Sequence, residues 1–409
     1  MKTMKNRTFQ ARVTREKANR KIVSEPITVE IYDGVTIDLN YHGWATLCKG
    51  EGNTVYAVSS ARIQHVDPFG AICFAKSTDG GESWEPARII MDTPLDDRDA
   101  GIVNLGGGHL MIWWFNHDAE KYLEGDPKTH PYRHWRYNPA RTPEQLAALD
   151  AKFAALTPEQ ARGGAYVAHS LDGGDTWGDP IRIPITCPHG PTLMNDGKTL
   201  LAAGLGWYAD QLLDEPLPSH HFHLFKSFDG GYTWEKFCSV PYPPLLFGAV
   251  CEPHALQLRD GTILVAYRDS GKIRGVNDCE LKTCVSRSVD GGKTWTEFER
   301  VPTVNGAPPH LLELSDGKVL LSYGCNTSPA CGARVAVSDD GGETWSNEMV
   351  ISVANNGYDD DLGYATSVQL DDGRILTGYY QKYEDEPNCS FLCTKWELIE
   401  QTGWDWTRQ

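Results

Sequence analysis

The sequence has no run of about 18 apolar residues, so no stretch of it reads as a membrane-spanning helix. Positive charge is scarce: 38 Lys and Arg stand against 55 Asp and Glu, a formal net charge of −17. Affinity for a phosphate backbone rests on clustered Lys and Arg, so nucleic acid is not an expected partner. The cysteines are odd in number, eleven, and contain no Cys-x-x-Cys pair, which indicates neither a disulfide framework nor a zinc site. Residues 1–21 are locally basic, with Lys2, Lys5, Arg7, Arg12, Arg15, Lys17, Arg20 and Lys21, but carry no apolar segment of the kind a secretory signal needs. These absences together read as a cytoplasmic chain with a basic arm over residues 1–22 and one domain over residues 23–409.

What the sequence does contain is turns, with 40 Gly and 24 Pro, and aromatic side chains, with 13 Trp and 17 Tyr. One octet organises them. Ser77-Thr78-Asp79-Gly80-Gly81-Glu82-Ser83-Trp84 recurs as Ser170 to Trp177, Ser227 to Trp234, Ser288 to Trp295 and Ser338 to Trp345. An Asp followed by two glycines favours a turn in which the carboxylate accepts backbone N–H groups and the glycines take positive φ. The octets are 93, 57, 61 and 50 residues apart, and a four-stranded blade with its turns needs roughly 40–50 residues. A second repeat, strand then Asp-Gly or Gly-Gly turn then apolar strand, occurs six times, as in His254 to Tyr267 and His310 to Leu321. Six hairpins predict six blades, hence an all-β, six-bladed β-propeller.

The long first interval holds an insert in blade 2 between Phe115 and Tyr166. Thr142-Pro143-Glu144-Gln145 reads as a helix start, with Leu146, Leu149, Phe153 and Leu156 at helical spacing, and Thr157-Pro158-Glu159-Gln160 as a second one. The insert forms either one wall of a site or a contact between copies of the chain. Blade 6 lacks an octet, and the strand Ile27 to Tyr32 is expected to complete it and close the ring.

Strand direction separates two faces. The octets fall on the face opposite the starts of the innermost strands, so a site belongs at those starts, around the axis. The polar residues there include Tyr41, His42, Asp97, Arg98, Asp99, His189, Glu252, His254, His310 and Tyr364, with Arg62, His65, Asp67, Arg268 and Arg334 in the adjoining strand ends and loops. Carboxylates, histidines and arginines converging on one axis suit an anionic or hydroxyl-rich small substrate. His189, His254 and His310 recur at one place in three successive blades and read as substrate contacts or as packing groups. No metal or other cofactor is specified; Asp359-Asp360-Asp361 offers oxygen ligands of the calcium type without the spacing of a calcium loop.

With the octets and these residues in view, the sequence resembles the sialidase (neuraminidase) superfamily over nearly all of the chain from about Ile27 onward. The resemblance implies a sialidase-like propeller in which Tyr364, near the start of the last inner strand, is the nucleophile, and Glu252, at the start of the blade 4 inner strand, takes its proton. It implies Asp67, ten residues before Ser77, as the acid/base, with His65 as the neighbouring alternative. Arg268 and Arg334 match two members of the family's carboxylate-binding arginine triad. The first triad Arg, which such proteins carry in a Phe/Tyr-Arg-Ile-Pro motif, has no counterpart in Asn40-Tyr41-His42-Gly43-Trp44, and Arg182-Ile183-Pro184 lies after the second octet. Arg98, between Asp97 and Asp99, reads either as a substitute guanidinium or as a locked ion pair. Arg62, Asp99, His189, His254 and His310 complete the expected substrate-binding set. A phenol activated by a carboxylate suits a sugar whose anomeric carbon carries a carboxylate, because an anionic nucleophile would meet like charge, and arginines fork onto that carboxylate with two parallel bonds.

The expected activity is therefore an exo-acting glycoside hydrolase removing a terminal, acidic sugar. Two other readings stand beside it: a polysaccharide lyase on uronic acids, recognisable by an ultraviolet-absorbing unsaturated product, and a non-catalytic carbohydrate-binding propeller. The expected partners are a small carbohydrate or glycan and, through the insert, a second copy of the chain; neither nucleic acid nor a membrane is expected.

Overall fold

The computed structural model describes residues 8–123, 135–136, 138–242, 250–269, 282–326, 331–352, 361–383 and 386–401. Six antiparallel sheets follow one another along the chain as the blades of a propeller. From inner to outer strand, blade 1 is Tyr41–Lys49, Val55–Arg62, Ala71–Ser77 and Arg88–Met91, and blade 2 is Arg98–Gly106, His109–Asn116, Gly164–Ser170 and Ile181–Ile183. Blade 3 is Thr192–Leu193, Leu200–Gly204, His221–Ser227 and Glu235–Pro241; blade 4 is Val250–Gln257, Ile263–Asp269, Lys282–Ser288 and Glu299–Arg300. Blade 5 is His310–Glu313, Val319–Cys325, Gly332–Ser338 and Met349–Val350. The middle strands are buried on both sides, as strands between neighbouring blades must be: Val55–Arg62 and Val319–Cys325 are buried at every position.

Blade 6 corrects the expected ring closure. Its strands Gly363–Gln369, Ile375–Lys382 and Cys389–Gln401 are completed by Thr8–Val13, which pairs from Thr8 opposite Gln401 to Val13 opposite Trp396. Ile27–Tyr32 instead forms a separate hairpin with Val35–Leu39. The basic segment is thus not an arm outside the domain: its strands Thr8–Val13 and Arg20–Lys21, separated by a turn, both pair with Cys389–Gln401, and the propeller begins at Thr8 rather than at residue 23. Thr8–Val13 alternates, with Phe9 buried and Ala11 and Val13 partly buried between exposed Thr8, Gln10 and Arg12. That pattern suits an edge strand, and Ile27–Tyr32 alternates in the same way, so alternation alone does not tell the two apart.

Each octet joins the third and fourth strands of its blade. In the first, Ser77 Oγ donates to Asp79 Oδ1 at 2.8 Å and accepts the Gly81 N–H at 2.8 Å, while Asp79 accepts the Ser83 N–H and Oγ–H at 2.9 and 2.6 Å. The second glycine of each octet packs on the preceding blade, Gly174 on Phe74, Gly231 on Met111, Gly292 on Phe237 and Gly342 on Leu264; Gly81 of blade 1 meets Leu376 of blade 6. The octets are therefore joints between blades as well as turns within them. The junction of blades 5 and 6 has none, and there Phe9 of the closing strand enters a cluster with Leu314, Met349 and Trp396.

Within the insert, helix α1 spans Glu120–Leu123 and helix α2 spans Pro143–Ala154. Thr142 caps α2 by a reciprocal box with Gln145. Leu149 and Phe153 bury their side chains in a cluster that includes Ile37, Leu39 and Phe69, which ties the insert to the hairpin and to blade 1. Thr157 and Gln160 make the same reciprocal bonds, yet only a turn follows, because Gly163 and Gly164 lead directly into the next strand. No described helix is long and apolar enough to cross a membrane.

Candidate functional site

The innermost strands share one irregularity. In blades 1, 2, 4 and 6 the pairing with the second strand slips, so that two residues oppose one, at Trp44, Asp99, Glu252 and Tyr364 respectively. Each of these residues has positive φ, 50°, 54°, 53° and 49°, and His189 before blade 3 has φ 64°. Non-glycine residues pay a conformational cost for that geometry, and a bulge is a device for re-aiming a side chain. Here four bulges turn a Trp, an Asp, a Glu and a Tyr into one cleft at the axis. The small residues that follow, Ala45, Ala100 and Ala365, leave room for the turn.

The cleft, about 260 Å³, is lined by Trp44, His65, Arg98, Asp99, His117, Lys121, Trp207, Cys251, Glu252, Arg268, Tyr364 and Tyr380, among others. At its floor the Tyr364 hydroxyl donates to Glu252 Oε1 at 2.7 Å and lies 3.2 Å from Asp99 Oδ2. Arg268 Nη1 meets the Glu252 carboxylate at 2.8–2.9 Å. Burial, then the negative charges of Asp99 and Glu252, push the Tyr364 phenol well above its ordinary range. Burial also pushes Asp99 up to about 7, with Glu252 adding to it against the pull of Arg98. The hydroxyl is therefore a protonated phenol between two acceptors. The neighbouring Cys251 thiol is pushed up to about 12, chiefly by burial, and is no competing nucleophile.

Three cations face the same space. Arg98 Nη1 is 3.2 Å from Asp96 Oδ2 and its guanidinium lies 4.3 Å from the Trp44 ring centre. The ion pair is with Asp96 rather than with the flanking Asp97 or Asp99, and Arg98 also lines the cleft. Lys121 of α1 comes within 3.3 Å of His117; burial and the nearby Arg98 lower it to about 8. Arg268 is the third.

Several expected site residues lie elsewhere. Asp67 is fully buried in a two-oxygen ion pair with Arg141 of the insert, 2.5 Å to each oxygen, and also accepts the Phe69 N–H. It does not line the cleft; burial raises its carboxyl even against Arg141. Arg62 is likewise buried, 2.8 Å from Asp96 Oδ1 and 4.3 Å from the Trp44 ring. Arg334 is paired with Glu348 at 2.5 Å, in the third strand of blade 5, and is outside the cleft lining. The arginine triad is consequently not assembled from these positions. His189, His254 and His310 pack together beneath the cleft, their ring centres 4.6–5.9 Å apart, with His189 5.2 Å from Tyr364. His254 Nδ1 accepts the Leu311 N–H, burial drives all three below their ordinary range, and none of them lines the cleft. No described group of three His, Cys, Asp or Glu side chains has the geometry to hold a metal ion. Asp359 and Asp360 lie outside the described residues.

Reasoning from sequence missed Trp44, Tyr380, Lys121, His117 and Trp207. Trp44 belongs to the Asn40-to-Trp44 stretch that lacks the expected Arg, and only the bulge turns it inward. His65, in contrast, does reach the cleft: its side chain is 46% exposed, and its Nδ1 is 2.8 Å from Asp361 Oδ1 and 3.0 Å from Tyr41 Oη.

Residues 120–377, more than half of the chain, match the family model of the BNR repeat-like domain. The chain belongs to the BNR repeat-like family. No curated protein sequence matches this BNR-repeat protein. Among solved structures it is similar to a Dyadobacter fermentans protein of unknown function, at 22% identity and TM-score 0.67, covering 95% of this chain and 99% of that one. It is also similar to the NanB sialidase of Streptococcus pneumoniae, at 15% identity and TM-score 0.61 over 91% and 70% of the two chains. A third is the intramolecular trans-sialidase of Ruminococcus gnavus, at 15% identity and TM-score 0.55 over 88% and 94%. At such identities the likeness is one of fold, and the fold of this BNR-repeat protein is that of the sialidases.

Proposed function

We propose that this BNR-repeat protein is an exo-acting glycoside hydrolase that removes a terminal sugar bearing a carboxylate, with Tyr364 as nucleophile and Glu252 as the base that takes its proton. The observation that carries this reading is the 2.7 Å hydrogen bond between the two, made at the axis by bulges in two different blades. A phenol this far from ionising attacks only as its proton leaves, and a carboxylate at hydrogen-bond distance is the means. Arg268 orients that carboxylate from the far side.

Arg98, Lys121 and Arg268 supply the positive charge that an acidic sugar needs, in place of three arginines. Trp207, half exposed at the cleft, offers an apolar face for the ring. Since Lys121 loses its proton near 8, binding of an anionic sugar weakens as the pH rises through that value.

The test is hydrolysis of a fluorogenic α-N-acetylneuraminide and of a panel of aryl uronides. Turnover by the wild type, with Tyr364→Phe and Glu252→Gln each reduced about 10²–10⁴-fold and folded by circular dichroism, supports the assignment. Variants as active as the wild type sink it. An unsaturated, ultraviolet-absorbing product from a polyuronide makes the protein a lyase, and sugar binding with no turnover makes it a binding propeller.

A further inference from the structure

We infer that His65 is the group that protonates the leaving oxygen, with Asp361 as its positioning residue; the inference rests on the glycosidase reading above. Departure of an unactivated alcohol needs a proton, and the carboxyl groups nearby sit either against the nucleophile at the floor or outside the cleft. Asp99 and Glu252 flank the Tyr364 hydroxyl, and Asp67 is sealed on Arg141. His65 is different. Its ring lies in the cleft, 5.0 Å from Trp44, on the loop that follows the second strand of blade 1.

Asp361 Oδ1 accepts from Tyr41 Oη at 2.9 Å and lies 2.8 Å from His65 Nδ1. Burial acts to raise the Asp361 carboxyl, but the bonds from His65 and Tyr41 outweigh it and hold it below the usual range. An ionised carboxylate can only accept, so the Nδ1 proton belongs to this bond. Nε2 is then the nitrogen left for a ligand in the half-open ring. This is the carboxylate–imidazole pairing that fixes a tautomer and stabilises the imidazolium.

The step balances without any further reactant. The Nε2 proton of the imidazolium passes to the glycosidic oxygen as its bond to the anomeric carbon breaks, while Tyr364 Oη bonds to that carbon and its proton goes to Glu252. In the second half, water attacks the anomeric carbon, neutral His65 takes the water proton, and Tyr364 Oη leaves with the proton returned by Glu252. The net reaction is hydrolysis.

The experiment compares His65→Ala and Asp361→Asn with the wild type on two substrates of one acidic sugar, an alkyl glycoside and a glycoside of an activated phenol. For His65→Ala we expect kcat/KM to fall about 10²–10⁴-fold on the alkyl glycoside and far less on the activated one, with added azide raising kcat. For Asp361→Asn we expect a smaller loss and an alkaline limb of the kcat/KM profile moved to lower pH. The other groups facing that space are Tyr41, Arg98, Asp99, His117, Lys121, Glu252 and Arg268, so the shift is read against the same profile in Lys121→Met. Equal losses on both substrates overturn the inference, as does a leaving-group dependence that appears in Lys121→Met instead. If the wild type cleaves neither substrate, the glycosidase reading has failed. If it cleaves both and Tyr364→Phe is dead while His65→Ala matches wild type on both, only the role of His65 has failed.

Discussion

Asp99 is a buried carboxyl whose protonated form the fold prefers. Its pKa rises from an ordinary 3.8 to about 7, so the folded state binds the proton more tightly than the unfolded chain does. Its contribution to stability is complete below about 4 and is lost as the pH climbs through 7, and Asp97, also pushed up to about 7 chiefly by burial, acts in the same direction. We expect the melting temperature of the wild type to fall between pH 5 and pH 8, and Asp99→Asn to flatten part of that fall, by on the order of a few kcal/mol. Identical slopes in the two proteins, measured by calorimetry, would show that Asp99 titrates normally. Tyr364, Glu252 and Arg268 were legible in the sequence because strand starts recur with the blades, so position along the repeat gave position around the axis. Asp67 and Arg334 were misassigned for the complementary reason: spacing gives the loop or strand, but not which way a side chain turns or that Arg141, 74 residues away, waits to pair with it.

Among the elements, the insert is fixed to the propeller through that pair. Neither Asp67 nor Arg141 retains any side-chain exposure, and breaking one partner of a buried pair typically costs about 3–5 kcal/mol. Asp67→Asn and Arg141→Met should each lower stability by that order in denaturant titrations, the double variant by much less than the sum, with activity tracking the folded fraction. Loss of turnover in a fully stable Asp67→Asn protein would return Asp67 to the chemistry. The octets permit a second prediction. Gly174 has φ 97°, and a Cβ there would sit 2.5 Å from Phe74 Cζ of the preceding blade, whereas Gly197, φ 68°, has open space around it. Gly174→Ala should cost roughly 2–4 kcal/mol and Gly197→Ala about 1 kcal/mol; equal costs would mean that the octets do not join blades. The repeat itself announced the turns, but a turn motif carries no mark of what its outer side touches.

For the whole molecule, the ring is held shut by six residues from one end of the chain lying on the strand at the other, with Phe9 as their anchor in the only blade junction among the described residues that lacks an octet. Removal of residues 1–13 should lower the melting temperature by several degrees and expose Trp396–Gln401 as an open edge, seen as self-association in size-exclusion chromatography. A truncated protein as stable and monodisperse as the full chain would show the strand to be dispensable. The order of synthesis gives this seam a further meaning. Thr8–Val13 is made long before its partner strand, nearly 400 residues further along the chain, and so finds its place late. Until then blade 6, which carries Tyr364, is missing its outer strand, so the nascent chain holds two unsatisfied edges that match each other and will also match those of a neighbouring chain. Folding of this protein is thus a race between closing on itself and exchanging strands with another molecule, and dilution favours the first.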